Sequence, residues 1–576
     1  MMKVIGKCDS DSLILLGLKL FLTFVLENSI FEARMFINFS DIPKHQNLFL
    51  DYLYEFENVQ EYYKHNFRNK EGYLPLFKSI SESRKSRQLN LSSILKNQYS
   101  ALANISGKTL RNFELLDKDK TIAVVTGQQL GILGGPLYTI YKIVTTIRLA
   151  NQFSERYDEF KFVPVFWLEG DDHDFNEVRS LNLFDNENQI LNLGYKDEIS
   201  DDDAKQSIGN IKFDEVLNDF FSKYEGSLRD TDFKNELVTK LKDCYQVGKT
   251  FKQSFKELLF WLFDEYGLII FDPQDPNIKS LLKPIFKKEV NDFSIHTQKL
   301  ILTSAKLEEL YHAQVKVKPV NLFYHTDDGR YSVEPVDDIF KLRRKRKQFT
   351  KDEILTEIEN SPEKFSPNVL LRPICQDYIF PTGFYIAGPS EISYFAQITP
   401  LYDFYNIITP IVYPRSSATL LEKNVGVALD KYDLTMHDIF LGLDELKEKV
   451  ISGLSENNIE KAFEAASNEI ELTFDRLKEN LFAVDKTLVD ASLRYREKIV
   501  SSIAELKSKA TKAQETKHET TIRQLTRLSN LLYPLGNLQE REINFTYFYN
   551  KYGKDFIRKV YDDISVNEFE HQIISL

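Results

Sequence analysis

Along this chain, short apolar runs stop at Gly, Pro or Asp, and helical patterns lie between them. "TIAVVTG" ends at Gly127, "FVPVFWLEG" at Gly170 and "YGLIIFDP" at Pro273. "GFYIAGP" then ends at Pro389 and "ITPIVYPRS" at Ser416. Most of these runs are too far apart to be joined by hairpin loops. Short buried strands alternating with helices predict a parallel α/β sheet, here a Rossmann-like core over 35–430. The uneven spacing predicts connective insertions near 180–262 and 275–370. In such sheets ligands bind beyond the carboxyl ends of the strands, where these Gly, Pro and Asp residues fall.

Further on, the period changes. Ile470, Phe474, Leu477, Leu481, Val484 and Leu488 step by alternating fours and threes. After a phase disturbance near Ser492, Ile499, Ile503, Leu506, Ala510 and Ala513 step similarly, and no Gly or Pro interrupts Leu454 to Tyr533. The pattern predicts a long C-terminal α-helical coiled coil over 431–533. Two helices packed within one chain would give the same pattern. Pro534 and Gly536 break the run, and 534–576 is expected to return to the core.

Composition narrows the partners. A net charge of −12 argues against nucleic acid or an anionic membrane surface. "LRRKRK" (342–347) is one basic run in an acidic chain, which reads as a solvated face. Cys8, Cys244 and Cys375 are far apart and form no CxxC, so neither a disulfide framework nor a thiolate zinc site is expected, and the pattern fits a cytoplasmic protein. "SLILLGLKLFLTFVL" (12–26) is interrupted by Lys19 and is short for a membrane span. A start at Met35, with 1–34 as mis-assigned upstream sequence, is the preferred reading. An appended helix and a signal segment are the alternatives.

Four strand exits carry candidate chemistry. "TGQQLGILGGPLYTIYK" (126–142) gathers Gly127, Gly131, Gly134 and Gly135 before a helix, without the spacing of a P-loop or a dinucleotide fingerprint. It reads as an anion or nucleotide loop, with Lys142 reaching back over it, or as a tight turn. "WLEGDDHDFNEV" (167–178) places Asp172 and Asp174 beside His173 as an acid–base or amine-binding group, with a helix N-cap and a satisfied histidine as the plainer role. Adjacent residues at a strand exit converge poorly on a metal, so none is assigned. "GPSEISYFAQ" (388–397) offers Glu391 to an ammonium group, with helix capping as the plainer role. "YPRSSATLLEK" (413–423) offers Arg415 and two serines to phosphate or carboxylate.

Taken together and in order, these blocks resemble one family, the bacillithiol-biosynthesis cysteine-adding enzymes, or BshC cysteine ligases. "GLIIFDPQDP", "FSPNVLLRPICQDYIFPT" and "LYPLGNLQER" extend the likeness from Met35 to the C-terminus. Small departures are Glu169 and Gly170, where a small pair is more usual, and Ser390, where Gly is common. The resemblance implies a Rossmann-like core related to class I aminoacyl-tRNA synthetases and a coiled coil pairing two subunits. It also implies the joining of cysteine to the amino group of glucosaminyl-malate, for which ATP with Mg2+ is the simplest activator. The catalytic candidates are His173, Asp172, Asp174 and Glu391. Binding candidates on the first two blocks are Thr126, Gly127, Gln128, Gln129, Gly134, Gly135, Tyr138, Lys142 and Trp167. On the later blocks they are Arg372, Gln376, Ser390, Arg415, Ser416 and Thr419.

Overall fold

The structure is a computed structural model that describes residues 35–85, 89–196, 206–454 and 459–576. The readings of residues 1–34 lie outside the described residues. Two compact units emerge, one running up to Leu421 and resuming over Leu538–Leu576, the other spanning Glu422–Asn537. The helical unit is thus wider than the expected 431–533.

In the first unit, β1 (Met35–Ile37) is followed by β2 (Thr121–Gln129), α1 (Leu137–Arg156) and β3 (Lys161–Glu169). The hairpin β4 (Ser180–Phe184) and β5 (Ile190–Gly194) precedes β6 (Ile269–Phe271) and α2 (Pro276–Leu281). Next come β7 (Leu322–Thr326), β8 (Gly329–Val336), β9 (Ile339–Leu342), β10 (Gln348–Thr350) and β11 (Phe365–Pro367). The chain then forms α3 (Arg372–Ile379), β12 (Thr382–Ala387), α4 (Pro389–Tyr405), β13 (Ile411–Pro414) and β14 (Ser417–Leu421). After the helical unit, β15 (His571–Ser575) closes the chain.

The central sheet runs β13-β12-β2-β3-β6 and every pairing in it is parallel. All five apolar runs read from the sequence supply its strands. Ile122, Ala123, Val124 and Val125 of β2 are fully buried, as expected of a parallel strand covered on both faces. Gly383 lets β12 approach β2: a Cβ there would stand 2.4 Å from Ile122 Cγ2, beside a register irregularity between Thr382 and Phe384. The chain leaves β2 toward β3 and β6 on one side and later adds β12 and β13 on the other. The order therefore reverses between β2 and β12, which creates a crevice at their carboxyl ends.

The second expected insertion holds an antiparallel sheet, β10-β9-β8-β7-β11, that the sequence reading did not resolve. Its β9–β10 turn contains the basic run, where Arg343, Lys345 and Lys347 take Glu334, Asp328 and the Tyr324 hydroxyl as partners. In the third sheet β15 lies between β1 and β14.

The helical unit contains α5 (Ile459–Val484), α6 (Thr487–Lys517) and α7 (Glu519–Leu532). α5 and α6 pack on one another. The break falls at Asp485–Lys486 rather than near Ser492, because the Asp485 carboxylate accepts from the Thr487 N–H and hydroxyl, each at 2.8 Å, and so starts a new helix. Among the described side chains from Lys461 to Ala513 none is buried, although the stepping residues lie there. No helix of the described residues is long and apolar enough to cross a membrane.

The glycine loop is clamped by the C-terminal segment. Asn544 Nδ2 donates to the carbonyls of Leu133 (3.0 Å) and Gly135 (2.7 Å), and the Leu137 N–H that opens α1 donates to Ile543 O (2.9 Å). Asn544→Ala strips two buried carbonyls of their donor. It is expected to lower unfolding free energy by about 2–3 kcal/mol, read from urea titration, and an unshifted midpoint would contradict the clamp.

Candidate active site

A cavity of about 610 Å3 opens where the order of the central sheet reverses. Gly127, Gln128 and Gln129 reach it from the end of β2, and Glu169, Asp172 and His173 from the exit of β3. Tyr385 of β12 and Glu391 of α4 complete the opposite side of the reversal. A pocket of this size at this place suits a small-molecule ligand.

The floor is a chain of paired charges. Lys142, on α1 and only 3% exposed, donates to Gly127 O (2.8 Å) and Gln128 Oε1 (3.0 Å) and pairs with Glu391 Oε2 at 2.5 Å. Glu391 also accepts from Tyr385 Oη (2.6 Å) and from the Gly388 N–H (2.7 Å). Burial opposes its ionisation, yet Lys142 and these donors outweigh that and hold the carboxyl below its usual range. Arg372 continues the chain: it donates to Gln376 Oε1 (2.9 Å) and to the hydroxyls of Tyr385 (3.1 Å) and Tyr394 (3.0 Å). Its Nε lies 3.6 Å from Glu169 Oε2.

The β3 exit forms a second cluster. Asp171 is buried and pairs with Lys279 of α2 at 2.7 Å, while Gln274 donates to its other oxygen at 3.0 Å. Burial opposes the charge, but Lys279, His325 and Arg330 hold Asp171 well below the carboxylate range. That anchor fixes the loop carrying Asp172 and His173. Asp172 accepts from Gln129 Nε2 (2.6 Å) and the His173 N–H (2.7 Å). Against the effect of burial, the His173 contacts and Arg330 bring it down to about 2.

His173 Nδ1 faces two neighbours, each at 3.5 Å: Asp172 Oδ1 and Arg330 Nη1. With its proton toward Asp172, Nδ1 leaves Nε2 as the basic nitrogen. With Nδ1 accepting from Arg330, Nε2 carries the proton and becomes a donor. Arg330, from β8, is itself fixed by Ser366 Oγ (2.9 Å) and Pro367 O (2.8 Å), with its guanidinium 3.8 Å from the Phe323 ring centre.

Of the residues expected from sequence, Gly127, Gln128, Gln129, Tyr138, Lys142 and Asp172 line this cavity. So do His173, Arg372, Ser390, Glu391 and Arg415. Others do not. Gly134 and Gly135 lie beneath the Asn544 clamp. Their N–H groups donate within the loop, to Gly131 O (3.0 Å) and Ile132 O (3.2 Å), so the loop presents no cradle for an anion. Gly134 instead takes φ +88° against Phe545 and Leu258, and it is a packing turn. Thr126 Oγ1 donates to Ile386 O (3.0 Å) and Trp167 packs on Phe271, so both serve the sheet. Gln376 stands behind Arg372, Ser416 donates to Ser565 O (2.6 Å), and Thr419 bonds His571 (2.8 Å). Asp174 is exposed before the short helix Phe175–Val178.

Two expected anion holders are already paired. Lys142 has three acceptors, and Arg415 is buried against Glu540 at 2.6 Å. Glu391, expected to meet an ammonium group from the ligand, takes that charge from Lys142 instead. Sequence reasoning missed Arg330, Lys316, Lys318, Tyr385 and Tyr394, which line the same cavity. Among the described residues no group of three or more His, Cys, Asp or Glu is placed to hold a metal ion.

Comparison with known proteins accounts for nearly the whole chain. Residues 35–416 match the N-terminal Rossmann-like domain of bacillithiol biosynthesis BshC, and 418–576 match its C-terminal coiled-coil domain. The chain belongs to the BshC family. Relatives named "Putative cysteine ligase BshC" include one from Salinibacter ruber, 32% identical over 92% of this chain and 96% of its own length. Those from Chloroherpeton thalassium (32%, covering 92% and 96%) and Koribacter versatilis (32%, covering 93% and 99%) carry the same name.

Within this BshC-family cavity the Glu169 carboxyl is raised well above the usual carboxylate range. Burial lifts it from the usual 4.5 to about 7, against the pull of Arg372. Between those values the folded state keeps a proton that the unfolded chain releases, so stability falls as pH rises through the window. Glu169→Gln should remove that slope: its stability relative to the parent should improve as pH goes from about 5 to about 7.5. Parallel denaturation midpoints across that range would refute the shifted carboxyl.

Proposed function

We propose that this chain is a cysteine ligase that joins the carboxyl of L-cysteine to the amino group of glucosaminyl-malate, the last step in forming bacillithiol. The observation that carries the reading is a single cavity, at the reversal of a BshC-type sheet, where a histidine beside a carboxylate stands among fixed donors. Forming the amide joins the cysteine carboxyl carbon to the amine nitrogen, breaks one carboxyl C–O bond with the oxygen leaving formally as water, and requires the amine to lose a proton. In the tautomer with Nδ1–H toward Asp172, His173 accepts that proton at Nε2. Tyr385 and Tyr394, held by Arg372, supply hydroxyl dipoles on the other side of the cavity.

Amide formation from a free carboxylate is uphill in water, so the reaction needs an energy source. ATP, bringing Mg2+ with it, is the simplest. The glycine loop does not fit a triphosphate, because the N–H groups of Gly131, Gly134 and Gly135 bond within the loop. Purified protein should form bacillithiol from cysteine and glucosaminyl-malate when ATP–Mg2+ is supplied. His173→Ala should lower kcat by about a hundredfold with a smaller change in KM, since a base acts mainly in the transition state. Absence of product with and without nucleotide would overturn the ligase reading, and an unchanged kcat in the variant would remove His173 from it.

The working unit in this reading is a cytoplasmic homodimer paired through the helical unit. α5 and α6 leave Leu477 43%, Phe482 59%, Ile499 40% and Leu506 58% exposed, a density of apolar surface that a second copy would cover. Leu481→Lys combined with Leu488→Lys should give a monomer by light scattering. A mass unchanged from the parent would refute this interface.

A further inference from the structure

Of the cations lining the cavity, Lys142, Arg372 and Arg415 each face a carboxylate, as described above, and Arg330 is held by Ser366 and Pro367. Arg541 also lines it without an ion pair to a carboxylate among the described residues. So do Lys316 and Lys318. Both belong to the segment between the helix Phe293–Leu307 and β7, which is tied down on either side of them. Val315 exchanges two hydrogen bonds with the buried Gln397 side chain, N–H to Oε1 at 2.8 Å and Nε2 to O at 2.9 Å. Thr297 Oγ1 donates to Pro319 O (2.7 Å), and the Asn321 N–H donates to the buried Glu289 (2.6 Å). The lysines are therefore presented by a fixed backbone.

Their setting is also strained in charge. Lys318 Nζ lies 5.5 Å from the Phe323 ring centre, and Arg330 lies over the same ring at 3.8 Å. Burial first, then Arg343, Arg330 and Lys316, pulls the Lys318 ammonium below its usual value, with Glu334 opposing. Like charges held together in a chain of net charge −12 call for an anion from outside. Phe323 is also the neighbour of His173, with ring centres 6.1 Å apart. An anion at Lys318 thus lies on the side of the cavity that holds the base.

We propose that Lys316 and Lys318 form the anion subsite of this cavity and receive the two carboxylates of the malyl group of the amine substrate. This rests on the ligase reading: the base must meet the amine, so the molecule bearing the amine places its anionic tail on the same side. A nucleotide phosphate has the same chemistry, and the test separates the two sources.

Lys316→Gln, Lys318→Gln and the double variant are assayed as full chains beside Lys318→Arg. The KM for glucosaminyl-malate should rise about tenfold per lysine, with kcat and the KM for cysteine little changed and Lys318→Arg close to the parent. A rise confined to the KM for ATP would assign the subsite to phosphate and overturn the proposal, as would no rise at all. Calorimetric titration with L-malate alone is the second readout, with binding by the parent and loss in the double variant expected. If the parent makes no amide, the ligase reading falls while the malate titration still decides the subsite. Absence of malate binding by the parent would overturn the subsite.

Discussion

The buried contact of Lys142 with Glu391 holds the site together. Lys142 rises from α1, Glu391 opens α4, and the ammonium also takes the carbonyl of Gly127 at the end of β2. One ion pair therefore ties both sides of the point where the sheet order reverses. A lone charge at either position would be costly in so dry a place, so each residue depends on the other. The Tyr385 and Arg372 contacts extend the same tie to β12 and α3. A crevice between two strands that diverge has no backbone ladder to close it, and here side-chain charge does that work.

That arrangement changes what the cations at the strand exits can do. From sequence, Lys142 and Arg415 read as ligands for an incoming anion. In the fold each already has a carboxylate, and the glycine loop has turned its N–H groups inward. The floor is thus electrically self-contained and rigid, which suits the positioning of neutral or dipolar parts of a substrate. Lys316 and Lys318, which line the cavity without an ion pair to a carboxylate among the described residues, belong to an insertion rather than to the Rossmann-like core. The core supplies His173 and the tyrosine hydroxyls, while the insertion brings Arg330 to 3.5 Å from His173 Nδ1 and adds the two lysines.

Much of the fold was legible because the five core strands are nearly continuous apolar runs, each ended by a turn residue. The inserted sheet was not, since its strands mix polar and aromatic residues and the basic run drew attention to charge. "TDDGRYSVEPV" does contain an Asp328-Gly329 turn signal between β7 and β8, and that signal could have revealed the hairpin carrying Arg330. At the site, strand-exit logic found Asp172, His173 and Glu391, because the residues after a parallel strand face the crevice whatever their type. It could not find partners that arrive from far along the chain. Glu540, which neutralises Arg415, and Asn544, which occupies the glycine loop, both lie more than a hundred residues beyond the strand exits they serve. A glycine-rich loop looks the same in sequence whether its N–H groups face a ligand or the protein.

The helical unit shows the opposite balance. Its pattern was plain in sequence, and the structure keeps the helices but buries none of the stepping residues from Ile470 to Ala513. A two-helix hairpin has too few layers to dehydrate a seam by itself, for each apolar side chain meets only one facing helix. Packing within the chain accounts for why α5 and α6 lie together, but not for the length of apolar surface they carry beyond the turn at Asp485. Four helices around one seam would enclose it, and two copies of this hairpin supply four. In the core, then, charge pairing is completed within the chain. In the helical unit apolar pairing is not, and the stepping residues keep part of their surface in solvent.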